Sequence, residues 1–158
     1  MSLTVVLTLK GREAFTYRWM SYMDGLKFPY KILIADGGDN QNLESHLRDH
    51  KNYPNLDYKY IRYPLDNNLE DYFNKLFDVL SRVKTKYTLH ADNDDFYLLD
   101  NIENHLEFLD ENFDYVSSRG SLVNLELVNR NYESISSPTG HAYLTRYVFS
   151  ECKLTFCT

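Results

Sequence analysis

Tyr87-Thr88-Leu89-His90-Ala91-Asp92-Asn93-Asp94-Asp95 is a short apolar run that stops on an acidic turn. The run reads as a buried strand, because aromatic, β-branched and aliphatic side chains suit a covered, pleated surface. The turn packs Asp92, Asp94 and Asp95 into four consecutive positions. Carboxylates so close repel one another and raise each other's pKa values unless a cation or hydrogen-bond donors intervene. A strand ending this way points to a Mg²⁺ or Mn²⁺ site. Such ions take oxygen ligands, one or two from protein carboxylates and the rest from water and substrate phosphates. Asp94 is the first choice for the direct ligand. Asp92 is the second, and Asp92 or Asp95 also suits ribose or metal-bound water.

Upstream, the same logic repeats. Leu3 to Leu9 reads as a strand buried on both faces, broken at Lys10-Gly11. Phe15, Trp19, Tyr22, Met23 and Leu26 recur at helical spacing, which predicts a helix from Arg12 to about Gly25. Ile32-Leu33-Ile34-Ala35 is a second strand, ending at Asp36-Gly37-Gly38-Asp39. Asn42 to His50 has weaker helical character, and Tyr58 to Tyr63 reads as a third strand stopped by Pro64. Leu69, Tyr72, Phe73, Leu76, Phe77 and Leu80 form a helical stripe that Asn68 is placed to cap. Downstream, Asp100 with Glu103 has the capping-box pattern and opens a helix carrying Ile102, Leu106 and Leu109. Tyr115 to Ser118 is expected as a fifth strand and Leu122 to Val128 as another. Strands alternating with helices imply an α/β fold: a mainly parallel central sheet in a three-layer αβα sandwich. All of residues 1–158 are expected to form one domain, without repeats or linkers.

The composition narrows the function classes. The 15% aromatic content argues against disorder. A net charge of −6 and the lack of a Lys/Arg cluster exclude a nucleic-acid partner. The acidity is compatible with a phosphorylated ligand held through a divalent metal, which inverts the local charge logic. Cys152 and Cys157 make neither a disulfide framework nor a four-ligand zinc site and read as structural thiols. Neither a signal peptide nor a membrane-length apolar run is present, so a cytoplasmic location is expected.

In parallel α/β sheets, ligands bind beyond the carboxyl ends of the strands. Three polar clusters stand there: Thr8 to Arg12, Asp36 to Asp39, and Asp92 to Asp95. All are expected along one sheet edge. An Asp at a strand end such as Asp36 can accept a hydrogen bond from a nucleobase imide, with Gly37 and Gly38 admitting backbone close to a ligand. The same glycines also suit a plain turn. Arg12 can equally be a solvated helix start. For the acidic turn a calcium loop fails on spacing, since Phe96 and Tyr97 occupy the ligand and glycine positions. Asp100 and Glu103 read as helix-terminus acids.

These ordered elements resemble the glycosyltransferase family 2 group and related GT-A enzymes. Leu3 to Arg12 is similar to their first strand and loop, Ile32 to Asp39 to their second strand and acidic turn, and Tyr87 to Phe96 to their strand and DXD motif. Asn74 falls where the family often has an asparagine. The resemblance covers roughly the first two-thirds of the chain. It implies a GT-A-like domain, its nucleotide-sugar-binding part, that binds a nucleoside-diphosphate sugar, most often a UDP-sugar. It also implies transfer to a glycan, lipid or protein acceptor with inversion. Thr8 and Asp36 would contact the base, Asp92 the ribose, and Asp94 the metal on the diphosphate. Leu9, Arg12, Gly37 and Asn93 complete the implied nucleotide-sugar set. Two departures stand out: Gly37 and Asp39 occupy turn positions where the family commonly has a second acid and a serine.

The family's catalytic base lies well downstream, in an acceptor half that this chain is expected barely to reach. Glu126 and Glu133 are candidates by charge alone, and the base is left unassigned. A missing half would expose apolar surface and favour a homodimer. Two rival readings are a truncated, non-catalytic nucleotide-sugar-binding module and a sugar nucleotidyltransferase. The latter usually carries a glycine-rich basic loop after its first strand, where this chain has only Lys10-Gly11-Arg12.

Overall fold

The computed structural model describes residues 3–111 in full, and the backbones of four strands within 120–147. The chain divides into two compact units, Met1–Tyr115 with Thr155–Thr158, and Val116–Leu154.

The first unit is built on a four-stranded, wholly parallel sheet. Its strands are β1 (Leu3–Leu9), β2 (Lys31–Asp36), β3 (Tyr58–Arg62) and β4 (Tyr87–Ala91), in the order β3-β2-β1-β4. Every residue of β1 is buried, as expected of a strand covered on both faces. Helices α1 (Glu13–Gly25), α2 (Gln41–Arg48), α3 (Leu69–Ser81) and α4 (Leu99–Asp110) flank the sheet. The chain adds β2 and β3 on one side of β1, then returns to add β4 on the other. Right-handed crossovers therefore put α1 and α2 on one face and α3 on the opposite face. Val79 of α3 packs against Val6, Leu33 and Ala35, the alternate residues of β1 and β2. This is the α/β, Rossmann-like arrangement that the alternating elements imply.

Three local readings change. The stripe on α3 is wider than the face the sheet covers. Lys75 and Val79 are buried and Tyr72, Leu76 and Leu80 half-buried, whereas Leu69, Phe73 and Phe77 are exposed. Phe73 and Phe77 stack on each other with ring centroids 6.2 Å apart. Asn68 does cap this helix, its side chain accepting from the Asp71 N–H at 3.0 Å. Asp100 does not cap α4: the cap position falls two residues earlier, at Leu98, and Asp100 lies in the first turn of the helix. Nor does Arg12 open α1 as a helical residue. It precedes the helix in the left-handed conformation, with φ 57° and ψ 42°, directly after Gly11 at φ 65°.

In the second unit, β5 (Gly120–Leu122) pairs antiparallel with β8 (Thr145–Tyr147), and β6 (Leu125–Val128) with β7 (Asn131–Ser134). The strand expected over 122–128 is thus two short strands. The strand expected at 115–118, and both cysteines, lie outside the described residues.

The orientation of α3 can be checked by stability. Val79→Ala should cost about 2 kcal/mol, the scale of burying a valine side chain. Phe77→Ala should stay within about 0.5 kcal/mol despite removing a larger group. Urea denaturation of the two variants measures both values.

Candidate functional site

Strand order locates the site. Growth of the sheet reverses between β1 and β4, and in open parallel sheets such a switch point leaves a crevice at the carboxyl ends. A cleft of about 630 Å³ lies here, lined by Thr8, Leu9, Lys10 and Arg12 after β1 and by Asp92, Asn93 and Asp94 after β4. Asp66, Asn68, Leu69, Tyr72 and Lys75, from the β3–α3 connection and α3, line the rest.

The two outer residues of the acidic triplet Asp92-Asn93-Asp94 are exposed, and the middle one is buried. Asp94 Oδ2 accepts a 2.7 Å hydrogen bond from Arg12 Nη1, within an exposed ion pair. Asn93 turns inward and donates to Thr16 Oγ1 at 3.0 Å. Burial pushes the Asp95 carboxyl above its ordinary range, and the Asp94 and Asp92 charges push it further. Repulsion within the turn thus reaches Asp95, its most enclosed carboxylate. Behind the turn, Thr8 Oγ1 lies 3.3 Å from His90 Nε2. Burial holds the His90 imidazole below its usual pKa, against the opposing pull of Asp92.

Among the described residues no group of three or more His, Cys, Asp or Glu side chains is arranged to hold a metal. Asp92 and Asp94 are the acids that face the cleft from the turn. Two carboxylates suit Mg²⁺ or Mn²⁺ that is otherwise coordinated by water and phosphate. The Arg12 guanidinium on Asp94 shows that the carboxylate is accessible to a cation from this side.

Asp36 and Gly37, from the second cluster, do not line the cleft. Asp36 is 1% exposed and its carboxylate is engaged internally. Oδ1 accepts from the Gly38 N–H at 2.7 Å, and Oδ2 from Tyr60 Oη at 2.7 Å and Arg62 Nη1 at 3.3 Å. The physical reason is position. β2 lies one strand away from the switch point, so its end packs against the β1 loop instead of opening beside it. Gly37 donates its N–H to the Leu9 carbonyl at 3.0 Å. The strand-end clusters after β1 and β4 therefore converge on one cavity, and the cluster after β2 braces it. Glu126 and Glu133, the acids noted by charge, are register partners across β6 and β7 in the second unit.

The floor of the cleft holds a pair that is not among the residues expected from sequence. Lys75 and Asp66 form a buried ion pair, and Lys75 Nζ also donates to the Leu9 carbonyl at 2.9 Å. Lys10 Nζ donates to the Asp66 carbonyl. The Asp66 carboxylate lies flat on Gly37, where any Cβ would overlap it. Asp66 follows the third strand, so the strand-end rule carried one strand further points to it. Lys75 gave no such signal, since it sits inside an otherwise apolar stripe.

The sequence matches the profile of Glycosyl transferase family 2 over residues 21–155. The chain belongs to that family. Solved structures share its fold at low identity. A mannosyltransferase from Pyrobaculum calidifontis, in complex with GDP-Man and Mn²⁺, matches at 13% identity and TM-score 0.58, covering 77% of this chain and 35% of that one. S. aureus TarS 1-349 in complex with UDP-GlcNAc matches at 16% identity and TM-score 0.53, covering 83% and 36%. A CMP:2-keto-3-deoxy-manno-octonic acid synthetase complexed with CTP matches at 12% identity and TM-score 0.52, covering 93% and 70%. The chain spans about a third of the length of the two transferase structures. No curated protein sequence matches it. The α/β fold of this family 2 chain is thus the GT-A type that the resemblance implied. Among the described residues no helix is long and apolar enough to cross a membrane.

Two substitutions test the floor. Gly37→Ala should cost about 1–3 kcal/mol by overpacking against Asp66, while Gly25→Ala, with open space around it, should cost nothing. Lys75→Met should cost about 3–5 kcal/mol, because it strands a buried carboxylate. Chemical denaturation measures each.

Proposed function

We propose that this family 2 chain binds a nucleoside-diphosphate sugar, a UDP-sugar in the first instance, in the cleft between β1 and β4. The observation that carries this reading is the convergence of Asp92 and Asp94 with Lys10, Arg12 and Lys75 around one crevice at the switch point. Asp94 and Asp92 would hold Mg²⁺ or Mn²⁺, which supplies positive charge to the departing diphosphate. Arg12, released from Asp94, is in reach of the same charge. Asp92 would also touch the ribose, and Thr8 and Leu9 would line the path of the nucleotide. Asp36 and Gly37 act in this reading by holding the β1 loop, because the Asp36 carboxylate is already occupied by donors from the protein. The transfer step is attack by an acceptor hydroxyl at the anomeric carbon, with inversion. It requires a general base, for which no described residue is assigned. The acceptor is a glycan, a lipid or a protein.

A second reading has its own support. The synthetase structure covers most of this chain, and the cations around the cleft would also suit a nucleoside triphosphate. In that case the chain would join a nucleotide to a sugar acid or sugar phosphate.

Isothermal titration of the full chain with UDP, GDP and CTP, each with and without Mn²⁺, separates these readings. Metal-dependent binding of UDP or GDP is expected, with Asp94→Asn weakening it at least about tenfold. Binding of CTP alone, unaffected by Asp94→Asn, would overturn the transferase reading in favour of the synthetase one. Binding without hydrolysis or transfer would identify a donor-binding module.

A further inference from the structure

We propose that Thr16 is a positioning residue for the acidic turn, acting through Asn93. The proposal rests on the reading of Asp92 and Asp94 as the diphosphate-metal ligands, and it names what holds them in place. Thr16 lies in the first turns of α1, fully buried, and is far from the turn in sequence. Its hydroxyl accepts from Asn93 Nδ2 at 3.0 Å, and the Arg12 carbonyl lies 3.4 Å from the same nitrogen. A primary amide has two N–H groups, and both are directed to α1 or its N-terminal cap. A backbone carbonyl only accepts hydrogen bonds, so the contact with Arg12 fixes which end of the Asn93 amide faces the helix.

Asn93 stands between the two exposed carboxylates. With its side chain pinned inward, the residues on either side present theirs to the cleft, and the turn closes with the Asp95 N–H on the Asp92 carbonyl at 3.4 Å. The same helix holds the segment after the turn. Tyr22 Oη donates to the Tyr97 carbonyl at 3.0 Å, and the Tyr22 and Phe96 rings meet edge-on at 4.9 Å. Those contacts lie beyond the acids and do not set the direction of Asp92 or Asp94; the Thr16–Asn93 bond does. Two consecutive left-handed residues, Gly11 and Arg12, turn the β1 loop so that the Arg12 carbonyl and the first turns of α1 reach Asn93.

The bond is neutral and buried, unlike the exposed Arg12–Asp94 pair beside it. The two connections therefore have different fates when a cation binds Asp94. The ion pair must open, while the Thr16–Asn93 bond stays and keeps the carboxylates from following Arg12 away.

Thr16→Val and Thr16→Ser test the proposal. Valine keeps the shape and removes the acceptor; serine keeps the hydroxyl. Hydrogen exchange of the amides at 93–95, measured without ligand, should quicken about tenfold in Thr16→Val and return towards wild type in Thr16→Ser. Manganese binding in the presence of UDP, followed by electron paramagnetic resonance, should weaken about tenfold in the first variant and recover in the second. Should Thr16→Val fail to fold, Asn93→Ser removes the same bond from the other side and should give the same exchange. Unchanged exchange on losing the bond, or equal loss in Thr16→Val and Thr16→Ser, would overturn the proposal. Absence of manganese and UDP binding in the wild type would sink the function proposed above, and the exchange measurement would still decide the role of Thr16.

Discussion

The carbonyl of Leu9, the last residue of β1, accepts from the Gly37 N–H at the end of β2 and from Lys75 Nζ on α3. A carbonyl oxygen has two lone pairs, and both are used inside the protein. Three elements are thereby tied at the point where the central strand gives way to the cleft. Each tie brings a further group with it. Lys75 brings Asp66, and Asp66 requires a residue without Cβ at Gly37. Gly37 returns the connection to β2, since its carbonyl accepts from the Asp66 N–H at 2.9 Å. The loop of Lys10 to Arg12 starts from this closed circuit, so its course into the cleft is set by buried polar groups.

The carboxylates fall into two groups with different energetics. Asp36 and Asp66 are buried and paired, and removing their partners would leave charge stranded in a poorly solvated place. Asp92 and Asp94 stand exposed at the rim. The Arg12–Asp94 pair there is of the kind that contributes about 0–1 kcal/mol. In the proposed reading, a divalent cation would displace the guanidinium at small cost without disturbing the floor. The rigid part of the site and the exchangeable part are thus separated by burial.

This division explains what was legible in the sequence. Strand ends are readable because apolar runs stop on polar residues, and the runs at Leu3 to Leu9 and Tyr87 to Ala91 bracket the cleft as expected. The sequence did not say which strand end faces a cavity and which braces its neighbour. That depends on the spatial order β3-β2-β1-β4, and the chain order of the strands does not contain it. Asp36 and Asp92 look alike in sequence for that reason. The stripe on α3 marks the helix correctly but holds more apolar residues than one face can use. A buried lysine decides the outcome, and its partner Asp66 becomes visible only once β1 and the β3–α3 connection are side by side. Asn93 is grouped by sequence with its acidic neighbours, although its amide is the one group of the triplet that points into the protein.

Electrostatic balance in the cleft bears on the order in which ligands would enter. Lys10, Arg12 and Lys75 face Asp66, Asp92 and Asp94, so the lining is close to neutral as it stands. A nucleoside diphosphate alone would add only negative charge, beside two exposed carboxylates. A divalent cation alone would meet those carboxylates but would have to compete with Arg12. A cation and a diphosphate entering together would, in the proposed reading, divide the lining between them, the cation on Asp94 and Asp92 and the diphosphate on the released guanidinium, with neither charge left unpaired. In the proposed reading, a tightly held floor, an exposed acidic rim and a displaceable arginine make the metal and the nucleotide a single ligand. The Thr16–Asn93 bond is what keeps the rim in place while the arginine changes partner.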